Sequence, residues 1–448
     1  MAIARAAGRL SRLAGRGGGT TLPGKVLATV DPPAVGLLAA RLPCGSVIVS
    51  ATNGKTTTAA MAAEILAPRF RLAHNAAGAN LMSGVASTLI EAGDAELGLF
   101  EVDEAAVPGI VRCLRPRVLC LGNLFRDQLD RYGELELLAE RWRAALHELP
   151  EGARLVVNGD DPALADLAGG RSGSVAFGLD DHSVGADALP HAADSKYCRH
   201  CGAPYAYAAA YVGHLGEYRC PGCGHGRPPL AVTARSIELE GIESVSFDLV
   251  APEGTRRVRL HMPGLYNVYN ALAAASLALA LGCSLDEISV GLERTAPVFG
   301  RFERIPVDGK TLLMLLIKNP AGANEAVRTL LAGVPPTLAV VALNDAIADG
   351  RDVSWIWDVD FEPLVEGLEK LIASGERAAE LALRLAYAGL PDDAIEVVPA
   401  LDRALDRGLE LTQPGGELTF LPTYTAMLEL QGILTKRGFA RPYWERVA

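Results

Sequence analysis

One short segment constrains this chain more than any other. Ser46-Val-Ile-Val-Ser-Ala-Thr-Asn-Gly-Lys55-Thr56-Thr57-Thr58 runs from a β-branched stretch through a turn of small residues into an Ala-rich helix start. A strand that delivers Gly-Lys-Thr to a helix N-terminus is the layout of a phosphate-binding loop. Backbone N–H groups there hold a polyphosphate, and the lysine reaches its terminal oxygens. On this pattern Thr52, Asn53, Gly54, Lys55, Thr56 and Thr57 are the candidate nucleotide-binding residues. Lys55 is also a candidate catalytic cation, and Thr56 a candidate Mg²⁺ ligand. The general pattern asks for glycine five residues before Gly54, where Val49 stands.

At 448 residues the chain exceeds one ordinary domain, and two or three are expected. Half of it is hydrophobic, enough for large cores. With 42 Lys and Arg against 53 Asp and Glu, the net charge of −11 argues against nucleic acid as a partner. No apolar stretch reaches membrane-spanning length; the richest, Ala271–Leu281, reads as an Ala/Leu helix. Arg5, Arg9, Arg12 and Arg16 precede a glycine run without the apolar core of a secretory signal. That segment reads as a short basic helix; weak attraction to an anionic membrane surface is the alternative. Eight scattered cysteines do not make a disulfide scaffold and place the chain in a reducing cytoplasm.

Strand and helix patterns alternate as in a parallel α/β sheet. After the loop come strands at Leu97–Glu104, ending in acids, and at Arg117–Leu124, Ala153–Pro162 and Val175–Gly178. Residues from about 193 to 229 break the rhythm, two alternating strands follow, and a helix starts near Asn267. Pro297–Glu303 reads as a linker. Beyond it a fresh strand and helix series implies a second, smaller α/β domain. The expected division is a lead-in over 1–42, a central domain over 43–300 and a C-terminal domain over 301–448.

Cys198-Arg-His-Cys201 is followed, after eighteen residues, by Cys220-Pro-Gly-Cys223. Each Cys-x-x-Cys turn points two thiolates at one centre, and two such turns complete a tetrahedral zinc site. Four thiolates leave no open position, so the site reads as structural. A redox pair and paired disulfides are the alternatives. Tyr205, Tyr207, Tyr211 and Tyr218 are expected to pack the insert's own small core.

The Leu97 strand ends in Glu101-Val-Asp-Glu104. A carboxylate emerging beside a phosphate loop can ligate Mg²⁺ directly or through water. Glu101 and Glu104 are both candidates, Glu104 also as a catalytic residue. The polar run Asn123–Glu134 reads as a metal- and phosphate-facing loop.

These motifs, with Asn158-Gly-Asp-Asp-Pro162, Met262-Pro-Gly-Leu-Tyr-Asn267-Val-Tyr-Asn270 and Gly300-Arg301-Phe-Glu303, resemble the Mur ligase family. Its loop reads Gly-Thr-(Asn/Lys)-Gly-Lys-(Ser/Thr)-(Ser/Thr), and Ala51 replaces the first glycine here. The resemblance implies a Mur-type central ATP-binding domain carrying a zinc-ribbon insert, and a C-terminal α/β domain. It adds Asn267, Asn270 and Arg301 to the ATP-binding set, with Asn267 facing the adenine. Where the family reads Asp-His-Leu-Asp, this chain has Asp127-Gln128-Leu-Asp130.

Leu316-Ile-Lys318-Asn319-Pro320, the loop from Asn344 to Asp360 and Leu421-Pro-Thr-Tyr-Thr425 resemble the family's amidating branch, the ATP-binding subunits of lipid II isoglutaminyl synthase. That implies amidation of the α-carboxyl of D-glutamate in the lipid II stem peptide to D-isoglutamine, at the cost of ATP and through an acyl phosphate. Ammonia would come from a separate glutaminase, GatD, and Asp349 would complete that partner's Cys–His triad. None of Cys44, Cys113, Cys120 or Cys283 sits on a Gly-x-Cys-x-Gly elbow, so the chain has no glutaminase nucleophile of its own. The competing expectations are a folylpolyglutamate synthase-like ligase and a non-catalytic ATP- and zinc-binding scaffold.

Overall fold

The computed structural model describes residues 21–76, 78–127, 135–169, 171–190, 193–296 and 301–441; of Arg301 only the backbone is described. The four N-terminal arginines, Gln128, Asp130 and Gly300 lie outside these. Two helices precede the phosphate loop, α1 (Leu22–Val30) and α2 (Pro33–Ala39). The sequence predicts no more than a lead-in here, yet α1 is closely packed. A Cβ on Gly24 would meet the Ser83 carbonyl oxygen at 1.8 Å, and the Gly24 N–H donates to Ser87 Oγ at 2.8 Å.

The first half of the chain forms β1 (Ser46–Ser50), β2 (Leu72–His74), β3 (Leu97–Glu101), β4 (Val118–Leu121), β5 (Arg154–Asn158) and β6 (Val175–Leu179). A hairpin follows, β7 (Ala206–Val212) and β8 (Leu215–Arg219), then β9 (Val232–Glu240), β10 (Ser244–Ala251) and β11 (Gly254–Leu260). Among the described residues nine strands make one sheet in the order β11-β10-β9-β6-β5-β4-β1-β3-β2. From β2 to β9 the ladders are parallel, and β1 and β3 are buried at every position. That burial on both faces is why their sequences are continuous apolar runs. β10 and β11 are antiparallel additions. Their open face explains the alternation in their sequence: Arg257 and Arg259 are exposed while Val258 and Leu260 are buried.

The second sheet takes β12 (Arg301–Val307), β13 (Lys310–Leu315), β14 (Leu338–Ala342), β15 (Lys370–Ser374), β16 (Ile395–Val397) and β17 (Glu417–Pro422) in the order β12-β13-β17-β14-β15-β16. Arg301, expected in a linker, already pairs with Leu315 across the β12–β13 ladder. Four helices position the site: α3 (Lys55–Leu66) after the loop, α4 (Leu265–Ala280) beneath the first sheet, and α5 (Pro320–Leu331) and α6 (Tyr424–Lys436) on the second.

Candidate active site

The loop leaves the C-terminal end of β1, where the chain, having laid β2 and β3 on one side of that strand, crosses over to lay β4 on the other. Open α/β sheets bind ligands at such a switch point. Gly54 sits at φ +86°, and a Cβ on it would come within 2.0 Å of Asn270 Oδ1. Glycine is therefore required both by backbone conformation and by the close approach of α4. Thr52 fastens the loop to the strand beside it: its hydroxyl accepts from Phe125 N at 3.1 Å and its N–H donates to the Asn123 carbonyl at 3.1 Å. The Asn53 N–H donates to Asn123 Oδ1 at 2.8 Å. Thr57 is buried in the first turn of α3.

The sequence-predicted cation and acids meet here. Lys55 Nζ donates to Glu104 Oε2 at 3.0 Å and to the Ala51 carbonyl at 3.1 Å. Burial opposes the lysine's charge, but the Glu104 and Glu101 carboxylates outweigh it and raise its pKa above the ordinary value. Burial likewise works against Glu104, and Lys55 with Lys318 holds it below the usual carboxylate range. Thr56 Oγ1 donates to Glu101 Oε1 at 3.0 Å. The two acids thus have different partners: Glu104 faces the lysine and Glu101 faces the threonine.

Contacts from the second sheet complete the loop's surroundings, and these were not legible in the sequence. Lys318 Nζ reaches Asp127 Oδ2 at 2.5 Å and the Thr52 carbonyl at 3.0 Å. Asn319 and Asn53 exchange amide hydrogen bonds at 3.0 and 3.2 Å. Burial pushes the Asp127 carboxyl up despite Lys318, and its Oδ1 has no partner among the described residues. Between the sheets lies a cleft with about 770 Å³ of free space, part of it open to solvent. Gly54, Asn123 and Asn270 line it on one side, Lys318 and Glu325 on the other, with Phe125 and Phe302 among its apolar walls.

Of the paired asparagines, Asn270 lines this cleft. Asn267, expected to face the base, donates to the Pro263 carbonyl at 2.7 Å and accepts from Asn270 Nδ2 at 3.0 Å. The Asn158–Pro162 motif serves packing. Asp160 accepts from Tyr269 Oη at 2.7 Å and from Arg227 at 3.1 Å, and burial pushes its carboxyl up to about 6. Asp161 caps the helix that starts at Pro162 and accepts from Leu124 N at 2.8 Å.

Asp349 stands apart from the cleft, on the segment after β14. It is 5% exposed, with Oδ1 accepting from Thr425 N at 2.8 Å and Oδ2 accepting from the Thr425 hydroxyl, at the start of α6. Burial raises its pKa against those hydrogen bonds.

The four cysteines converge. Sγ atoms stand 3.5 Å apart in the Cys198–Cys223 pair and 3.4 Å in the Cys201–Cys220 pair, and all four lie within 4.8 Å of one another. Disulfide sulfurs would be at about 2.05 Å. A tetrahedron with Zn–S of about 2.3 Å has sulfurs about 3.8 Å apart. The residues therefore fit a zinc ion and do not fit disulfides. Tyr205 and Tyr218 pack with Cys198 and Cys220 in a small cluster, as expected, whereas Tyr211 joins the main core.

Comparison with known proteins then fixes the relationship. Residues 49–214 match the family model described as Mur ligase middle domain, and residues 316–427 match MurT ligase C-terminal. The lipid II isoglutaminyl synthase (glutamine-hydrolyzing) subunit MurT of Streptococcus pneumoniae is 34% identical over 96% of this chain and 95% of its own length. The chain belongs to the MurT family. The Staphylococcus aureus MurT subunit is 31% identical over 95% of this chain and 94% of its own. Among solved structures, a pseudomurein peptide ligase type C from Methanothermus fervidus superposes with a TM-score of 0.69 at 22% identity, covering 90% of this chain and 80% of its own. MurF ligase from Thermotoga maritima, solved in complex with ADP, reaches 0.65 at 16%, covering 95% and 85%. These two likenesses show that the MurT chain shares the Mur ligase fold.

Proposed function

We infer that this chain is the ATP-consuming subunit of a lipid II isoglutaminyl synthase. It converts the α-carboxyl of D-glutamate in the stem peptide of lipid II to the carboxamide of D-isoglutamine, using ammonia released from glutamine by a partner glutaminase of the GatD type. The observation that carries this reading is the phosphate loop, with Lys55 and Glu104 buried beneath a cleft that the MurT-type second sheet closes.

The nucleotide lies with its phosphates over the N-terminus of α3, and the substrate carboxylate enters from the cleft. A carboxylate oxygen attacks the γ-phosphorus, the bond to the β,γ-bridging oxygen breaks, and ADP leaves. Lys55 stabilises the charge that shifts onto the phosphates, an effect that is largest in a site from which water is excluded. Glu104 keeps Lys55 charged and aimed before nucleotide arrives. Ammonia then attacks the acyl carbon of the mixed anhydride, loses a proton, and expels phosphate. Lys318, brought by the second sheet to the Thr52 carbonyl, adds a second cation at the loop.

Thr56 and Glu101 are the residues that would hold Mg²⁺: their oxygens are adjacent, and hard oxygen donors suit that ion. When bound, the ion neutralises phosphate charge. Cys198, Cys201, Cys220 and Cys223 would hold zinc in a closed, structural site. Asp349 is assigned to the partner's triad. Thr425 fixes its carboxylate, which in this reading orients the partner's imidazole. No helix among the described residues is long and apolar enough to cross a membrane, so lipid II would be met at the membrane's surface.

The test is reconstitution of the complex with lipid II, ATP and glutamine. Glutamate, ADP, phosphate and amidated lipid II should form in equal amounts, and the isolated chain should work with ammonium alone. Absence of lipid II-dependent ATP consumption under saturating ammonium would refute the assignment.

A further inference from the structure

The cleft beside the phosphate loop contains one buried carboxyl that the mechanism above leaves unused. Glu325, in the second turn of α5, is 8% exposed and lines the cavity together with Gly54, Asn270, Phe125 and Phe302. Its Oε2 has no hydrogen-bond partner among the described residues. The cation that faces it, Arg328 one turn further on, stands 3.8 Å from Oε1. That guanidinium is already committed, donating to the carbonyls of Tyr211 at 2.7 Å and Val184 at 3.1 Å on the first sheet's side. Burial pushes the Glu325 carboxyl up to about 7, with Arg328 opposing only in part. A buried acceptor without a partner is rare enough in folded proteins to require an explanation.

We propose that Glu325 selects the base of the nucleotide, its free oxygen accepting a hydrogen bond from the exocyclic 6-amino group of adenine. The inference rests on the ligase reading, which puts the phosphates at α3 and sends the base into this cleft. Apolar walls that include two phenylalanines suit a flat ring, and the ring's polar edge then needs a partner. Asn267 is already bonded to Pro263 and Asn270, and of the two carboxyls near the loop with an unpartnered oxygen, Asp127 and Glu325, it is Glu325 that lines the cleft. A 6-oxo purine would set its own acceptor against that oxygen, and a site built to meet an N–H discriminates strongly against a base lacking one. The discrimination belongs to the ionised carboxylate, because a protonated Glu325 can also donate to a 6-oxo group or to ring N1, so the binding is measured at pH 8, above the value of about 7 to which burial pushes this carboxyl.

The test measures binding of ATP, GTP and purine riboside 5′-triphosphate, which is ATP without the 6-amino group, to the intact complex by calorimetry. Wild type should prefer ATP over the purine riboside triphosphate by about tenfold to a hundredfold, and over GTP by more. Glu325→Leu should bind ATP and the purine riboside triphosphate within twofold of each other. Glu325→Gln, whose carboxamide oxygen still accepts, should keep the preference. A wild-type complex that binds those two equally overturns the proposal without recourse to any variant. So does a Glu325→Leu protein that weakens both alike while keeping their ratio, since Glu325 would then act through packing alone. If wild type binds none of the three nucleotides, it is the ligase reading that has failed, and this inference falls with it.

Discussion

The contact between Lys318 and Asp127 tests whether the second sheet is held over the loop by a charge pair. Replacing Lys318 with Met keeps the length of the side chain and removes the ammonium. Asp127 then loses its 2.5 Å partner while its second oxygen is already unsatisfied. Stranding one member of a buried pair costs about 3–5 kcal/mol. Here the chain has an escape, because parting of the two sheets returns the carboxylate to water, so the cost is capped by the free energy of closure. At the low end, about 3 kcal/mol corresponds to a roughly hundredfold weaker affinity for a nucleotide that binds the closed form. The thermal midpoint should change little, because each sheet keeps its own core. Lys318→Met combined with Asp127→Asn removes the stranded charge and should recover at least tenfold of the lost ATP affinity. Calorimetric titration of the four proteins with a non-hydrolysable ATP analogue completes the cycle. A double variant no better than Lys318→Met would show that the lysine acts on the nucleotide directly, and the closure argument would be wrong.

Lys55→Ala should abolish amidation with both glutamine and ammonium while leaving the circular dichroism spectrum unchanged; near wild-type turnover would remove the lysine from the chemistry. Protein purified without chelator should contain one zinc per chain, and Cys201→Ser should lose the metal and melt earlier; less than half an equivalent in wild type by elemental analysis counts against the site. Asp349→Asn should cut glutamine-dependent amidation strongly, keep the complex intact by gel filtration, and be rescued by ammonium; equal loss with both ammonia sources would return the residue to the ligase or the fold. Burial pushes the Glu325 carboxyl from its ordinary value of 4.5 up to about 7, so the stability penalty should be absent below pH 4.5, grow up to about pH 7 and be constant above. The difference corresponds to about 3 kcal/mol, so Glu325→Gln should melt higher than wild type at pH 8 and at the same temperature near pH 4.5; a pH-independent difference would mean the carboxyl is not suppressed by burial.

What the sequence disclosed was what lies close together along the chain. The phosphate loop occupies a dozen consecutive residues, and the Cys-x-x-Cys pairs carry their geometry in their spacing. The acids at the end of β3 were legible because a strand end has a fixed address beside its neighbour. Their division of labour was not, since it depends on how Glu101, at the strand's last position, and Glu104, in the turn beyond it, direct their side chains. Lys318 and Asp127 are 191 residues apart and Asn53 and Asn319 are 266 apart; only the docking of one sheet on the other brings them into contact. Glu325 gave no signal at all, because a glutamate one turn before an arginine on a helix reads as a solvated pair. Its burial is a property of the cleft.

The hairpin that closes the four-cysteine insert also builds the cleft. Val212 and Leu215, at its tip, line the cavity, and the Tyr211 carbonyl receives the Arg328 guanidinium from α5. The insert is therefore not an ornament on the first sheet but a wall shared by both halves of the molecule. With zinc in the proposed four-cysteine site, loss of the metal would loosen the chamber's wall at Val212 and Leu215 as well as the knuckle itself. Under that proposal, stripping the metal should leave the phosphate loop intact and still weaken nucleotide binding, so that a site with no open coordination position acts on the chemistry through a shared wall.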